Sequence, residues 1–140
     1  ERRAWKPIEN PLEPYVPRQA LLTHDIDRYS DEFFWFRERP FVRLGPASWR
    51  WVERAYSSTR LLRNRKKLKQ MKVPILILAT STDELVDHPT IERAVHLIPN
   101  AELKLFGEEC AHEIFREVDE VRNDALASCF SFLDRVAPKK

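Results

Sequence analysis

The spacing of apolar and polar positions changes character several times along the chain, and each pattern predicts its own element. The first twenty residues carry Pro7, Pro11, Pro14 and Pro17. Each proline biases its predecessor away from helix, so residues 1–20 are expected as an extended connector. From Leu22 the pattern turns helical: Asp25, Ile26, Tyr29, Phe33 and Phe36 recur at threes and fours. This predicts an amphipathic helix capped by Thr23 and stopped by Pro40. After a turn at Leu44-Gly45-Pro46, the residues Trp49, Val52, Ala55 and Tyr56 again sit at helical spacing. Two aromatic helices are therefore expected close together. Residues 60–72 then hold Arg60, Arg63, Arg65, Lys66, Lys67, Lys69 and Lys72 without an acid, while Leu61, Leu68 and Met71 keep one side apolar. They read as a basic amphipathic helix or turn.

The run Val73-Pro74-Ile75-Leu76-Ile77-Leu78-Ala79 is nearly continuous and apolar, the pattern of a strand buried on both faces of a parallel sheet. Pro74 must sit near its start, because a central strand cannot spare a ladder donor. A polar loop over residues 80–87 follows. Pro89 then opens a helix through Ile91, Ala94, Val95 and Leu97 that ends near Asn100. Ala101-Glu102-Leu103-Lys104-Leu105-Phe106 alternates as a second strand, and its charges put it at the sheet edge. After a loop from Gly107 to His112, helical periodicity returns over residues 121–136 through Leu126, Phe130 and Leu133. Alternating strands and helices argue for the α/β class, an open parallel sheet with helices on its faces. The chain divides into the connector (1–20), a helical region with its basic return segment (21–72) and an α/β segment (73–140).

Composition narrows the chemistry. A length of 140 residues with 43% apolar and 33% charged side chains suits one globular domain. The net charge of +2 implies no long-range attraction to nucleic acid. Gly45 and Gly107 are the only glycines, which excludes a glycine-rich phosphate loop. Cys110 and Cys129 lack Cys-x-x-Cys spacing and fit reduced thiols in a cytoplasmic protein as well as one disulfide. His24, His88 and His96 are too scattered to hold a metal, and no cofactor motif is present. No apolar run approaches the roughly 20 residues of a spanning helix. The opening Glu1-Arg2-Arg3-Ala4-Trp5 has neither an initiator Met nor a signal-peptide core, so the chain is expected to begin mid-protein.

In open α/β sheets, ligands gather beyond the carboxyl ends of the strands. The first strand leads into Thr80-Ser81-Thr82-Asp83-Glu84 and the second into Gly107-Glu108-Glu109-Cys110-Ala111-His112-Glu113. Parallel strands bring these loops to one end, where Asp83 and His112 can pair as the supporting half of a nucleophilic triad. The plainer alternative is that Asp83 caps a turn and His112 a helix.

Residues 73–136 resemble the C-terminal segment of α/β-hydrolases: strand, acid loop, helix, strand, Gly-x-x-x-x-His-Glu and last helix. Leu21-Leu22-Thr23-His24-Asp25 with Arg28-Tyr29, followed by Arg43-Leu44-Gly45-Pro46 and Trp49-x-Trp51, is similar to the bacterial lysophospholipase and monoacylglycerol-lipase-like branch. The resemblance implies that Asp83 is the triad acid and His112 the general base, in a serine hydrolase acting on a lipid-like ester. The chain departs from the family at Thr80-Ser81-Thr82, where a glycine is usual, and at Glu108-Glu109-Cys110, where small residues are commoner. It also lacks the Gly-x-Ser-x-Gly elbow: Ser30, Ser48, Ser57, Ser58, Ser81, Ser128 and Ser131 have no flanking glycines. The family order of Ser, Asp, His then places the nucleophile upstream of Glu1, in a missing N-terminal part of the same protein.

In such hydrolases a helical cap occupies the position of residues 21–60. Phe33, Phe36, Trp49 and Trp51 are candidates to line an acyl-chain channel, the competing reading being that they pack cap against sheet. The seven cations of residues 60–72 would either hold the enzyme peripherally on the anionic inner surface of a membrane or solvate a return helix. The lack of Trp or Phe among them favours the latter. A non-catalytic α/β-hydrolase-like binding module is the alternative from another class. A C–C hydrolase or dehalogenase is a third, decided by the upstream nucleophile.

Overall fold

Helix-forming text begins at residue 18, and the computed structural model describes residues 18–138. The expected connector falls mostly on residues 1–17, outside that range, while Arg18–Leu22 forms a short helix, α1. The next helix, α2 (Ile26–Glu38), ends just before Pro40, whose ring cannot continue it. Its cap is Asp25, whose Oδ1 accepts the N–H of Arg28 at 2.9 Å. The expected cap, Thr23, is fully buried, and its hydroxyl instead donates to the carbonyl of Arg116 at 2.6 Å. The same hydroxyl accepts the N–H of Asp25 at 3.0 Å, so Thr23 holds the cap residue in place and does not cap the helix itself.

Ser48 caps α3 (Trp49–Leu62) by accepting the N–H of Trp51 at 3.2 Å. This helix runs past Arg60, so the basic segment does not form one element. It starts inside α3, breaks at Arg63-Asn64, and resumes as α4 (Arg65–Lys69), which Asn64 caps through the N–H groups of Lys66 and Lys67. Contrary to expectation, α2 and α3 share no extensive contact: the main neighbours of α2 are α1 and the 3₁₀ turn Pro40–Val42, and that of α3 is α4. Aromatic side chains on both therefore stay open, with Trp35, Trp49, Trp51 and Tyr56 all more than half exposed.

Pro74 stands just before β1 (Ile75–Thr80), where its missing N–H costs no ladder bond. A helix, α5 (His88–Val95), with Pro89 in its first turn, leads to β2 (Ala101–Phe106). The strands pair in parallel from Ile75↔Ala101 to Thr80↔Phe106. The ladder continues at both ends, Ile75 N–H to Asn100 O and Ser81 N–H to Phe106 O, each 2.9 Å. Only Ala79 and Thr80 of β1 are buried, whereas the pattern predicts burial along the whole strand. With one neighbouring strand among the described residues, the dense packing gathers at the carboxyl end. There Phe106, Cys110, Ile114, Val121 and Ala125 form a core with Leu78 against it.

The last helix, α6 (Asp119–Val136), carries Val121, Ala125 and Phe132 on its buried side. Its polar side meets the charges of β2: Lys104 pairs with Asp124 at 2.7 Å, and Arg135 pairs with Glu102. The charges that mark β2 as an edge strand thus also register it against α6.

Candidate active site

The acid loop leaves β1 at Thr80. Asp83 folds its own turn by accepting the N–H groups of Leu85 at 2.8 Å and Val86 at 3.0 Å on Oδ1. That leaves Oδ2 directed at the loop after β2, where it lies 2.8 Å from Nδ1 of His112. The two residues singled out from the sequence are brought into contact across the carboxyl ends of parallel strands. The Asp83 side chain is 9% exposed and the His112 side chain 35%, so the carboxylate is covered while one side of the imidazole is open.

Burial is the largest influence on the Asp83 carboxyl and pushes its pKa up. The hydrogen bonds from His112, Leu85 and Val86, with the charge of His112, outweigh it and hold the carboxyl below the ordinary value. An ionised Asp83 only accepts hydrogen bonds, which fixes the imidazole proton on Nδ1. In the neutral imidazole Nε2 then carries the lone pair, and among the described residues it makes no hydrogen bond. An oriented base with a free nitrogen accepts a proton from a hydroxyl placed beside it.

Two threonines tie the acid loop to the histidine loop. Thr80 is 1% exposed, and its Oγ1 lies 2.7 Å from the Cys110 carbonyl and 3.1 Å from the Gly107 carbonyl. The Thr82 hydroxyl reaches the same two oxygens at 3.2 Å and 3.3 Å. Residues that depart from the usual glycine-bearing loop here serve as cross-links. Cys110 between them is fully buried and both cysteines are free. Burial first, then the charges of Glu117, Glu109 and Asp83, push its thiol up to about 12. It stays protonated and covered, which removes it as a nucleophile despite its closeness to His112.

The histidine loop also rests on residues 21–24. The N–H of His112 donates to Leu21 O at 3.3 Å and that of Glu113 to Leu22 O at 2.7 Å. Glu117, fully buried, accepts the Ala111 N–H on Oε1 at 2.7 Å and the His24 N–H on Oε2 at 3.0 Å. The His24 Nδ1 lies 3.1 Å from Oε1. Sequence reasoning missed Glu117, because a glutamate between Glu113 and Glu120 looks like part of a solvated face.

A cleft of about 260 Å³ is lined by His24, Thr82, Glu84, Glu108, Cys110 and Ala111 among others, the sequence neighbours of Asp83 and His112 but neither residue itself. A second, of about 410 Å³, is bounded by Trp35, Phe115, Arg28 and Arg116 with neighbouring acids. Neither includes Phe33, Phe36, Trp49 or Trp51. Phe33 stacks edge-on against Tyr29 at 5.7 Å, Phe36 lies half-buried under the Arg43 guanidinium, and both tryptophans face outward. The structure does not bring these four aromatics to the Asp83–His112 pair.

Parallel strands that deliver an acid and a histidine from consecutive loops are compatible with part of an α/β-hydrolase fold. The sequence agrees: the family described as serine aminopeptidase, S33, matches residues 3–119, and the chain belongs to this family of α/β-hydrolases. No curated protein matches the chain.

Proposed function

We propose that Asp83 and His112 are the acid and base of a catalytic triad in a serine hydrolase that cleaves carboxylic esters of lipid-like substrates, of lysophospholipase or monoacylglycerol-lipase type. The observation that carries this reading is the 2.8 Å contact between Asp83 Oδ2 and His112 Nδ1, with Nε2 left open. The nucleophile is a serine outside these 140 residues, since no Gly-x-Ser-x-Gly occurs within them. His112 Nε2 takes the proton as the serine oxygen attacks the ester carbonyl, then gives it to the departing alkoxide. Water reverses the sequence and releases the acid. Asp83 keeps the imidazole in the right tautomer and stabilises the imidazolium.

In this reading residues 21–72 form a cap over the core built by residues 73–140, and the protein works in the cytoplasm against the inner membrane surface. The exposed Trp49, Trp51 and Tyr56 share one helix with Arg50, Arg54 and Arg60. That combination suits an anionic lipid surface better than cations alone. A second reading, hydrolysis of an amino-terminal amide, draws on the family description and on Glu84 and Glu108 at the cleft, whose charge suits an ammonium group.

Turnover by the full-length protein of a monoacylglycerol, a lysophospholipid and an aminoacyl arylamide separates the two. Labelling with a fluorophosphonate locates the serine. Ester turnover at least tenfold above amide turnover is expected. Dominant amide cleavage would replace the lipid reading, and no labelled serine with no turnover would favour a non-catalytic binding module.

A further inference from the structure

Glu117 is the largest fully buried side chain among the described residues, and the proton transfers above make no use of it. A carboxylate out of water persists only where donors surround it, and here every donor belongs to one of two segments. Ala111 N–H comes from the residue preceding His112. The His24 N–H comes from the segment entering α2, and the His24 imidazole Nδ1 lies 3.1 Å from Oε1. The same segments are joined in the opposite sense by Leu21 O and Leu22 O, which accept from His112 and Glu113, and once more in the first sense by the Thr23 hydroxyl, which donates to the Arg116 carbonyl. The Arg28 guanidinium closes the ring on the Glu117 carbonyl and reaches Asp119. Arg116 spans back to the carbonyls of Arg28 and Tyr29.

This ring fixes the two consecutive amides from which the His112 side chain hangs. Asp83 orients the imidazole about its own bonds but cannot hold the backbone beneath it. We propose that Glu117 is a positioning residue for His112, fastening residues 21–24 to the histidine loop so that Nε2 stays in register with the nucleophile. The inference rests on the acid–base reading of Asp83 and His112. An apolar side chain of similar size would fill the same space without the burial penalty, but it would offer nothing to the N–H groups of Ala111 and His24. Proton transfer is sensitive to such placement: a displacement of about 1 Å costs on the order of 100-fold.

The test is Glu117→Gln in the full-length protein. Either amide orientation turns an NH₂ toward a donor N–H, so one clamp bond is lost with side-chain shape preserved. Ester turnover is expected to fall about 10- to 100-fold in kcat with KM within about twofold. The downfield proton resonance of His112 Nδ1–H, identified by its loss in His112→Gln, is expected to broaden or vanish. Wild-type kcat together with an unchanged resonance would overturn the proposal. So would a rate loss that merely tracks the fraction of serine titratable by fluorophosphonate. Should Glu117→Gln give no cooperative unfolding transition, Thr23→Val decides, because it breaks the same ring without touching a charge. Reduced kcat and an altered resonance there support positioning, and unchanged values overturn it. Wild-type turnover in His112→Gln would instead defeat the triad reading, while the resonance still reports whether Glu117 holds the imidazole.

Discussion

Thr80→Val with Thr82→Val forms a double-mutant cycle on the two cross-links between the acid and histidine loops. Valine keeps the shape of threonine and removes only the hydroxyl. In Thr80→Val the Cys110 carbonyl loses its 2.7 Å partner but retains Thr82 Oγ1 at 3.2 Å, so the cost is one net hydrogen bond, about 1 kcal/mol. Thr82→Val alone leaves the shorter bond intact and should cost roughly 0.5 kcal/mol or less. The double variant differs in kind. Gly107 O still accepts the N–H of Cys110 at 3.2 Å, whereas Cys110 O keeps no partner inside a fully buried residue. An orphaned buried carbonyl adds about 1–3 kcal/mol, so the double variant should lose more than the sum of the singles by about 1–2 kcal/mol. Urea unfolding of the four proteins at constant m value measures this coupling. Additivity within about 0.3 kcal/mol would refute the view that the two hydroxyls back each other up.

Three further outcomes follow from the same geometry. The pKa of Asp83 is lower in the folded protein than the unfolded value of about 3.9, so its stabilisation is fully present above that value and disappears as pH falls through the folded pKa. Urea midpoints of the wild type and Asp83→Asn should therefore keep their separation down to about pH 4 and converge below it, and parallel curves through that acid range would contradict the sign. Iodoacetamide should modify one cysteine of this chain in the native protein, the partly exposed Cys129, and both after unfolding. Rapid native loss of the Cys110 thiol by mass spectrometry would contradict its burial. Gly107→Ala should be tolerated within about 1 kcal/mol and twofold in turnover. No described residue has a positive φ, and the added Cβ would meet only the movable end of Glu109, at 2.8 Å from Oε2.

Local patterns carried the elements well where the determinants were local. The apolar run behind Pro74 and the alternation from Ala101 to Phe106 marked both strands, and placing Asp83 and His112 just beyond them was enough to anticipate their contact. Extent of burial was not legible, because it depends on how many strands flank β1. Thr23 has the chemistry of a cap, but its hydroxyl accepts the N–H of Asp25 and donates to a carbonyl 93 residues away. Glu117 is ordinary in its local context and becomes distinctive only when residues 21–24 fold beneath it. The aromatic set at helical spacing correctly implied helices but said nothing of whether α2 and α3 meet, since spacing reports a helix face and not what covers it.

The most direct measurement is the turnover of a monoacyl ester by the full-length protein carrying His112→Ala, with folding checked by its unfolding transition. A base fixed at 2.8 Å from Asp83 with Nε2 free should be indispensable, and kcat should fall by about 10⁴-fold or more with the fold intact. A well-folded His112→Ala protein that turns over within about tenfold of the wild type would contradict the assignment of Asp83 and His112 as the acid and base of the site.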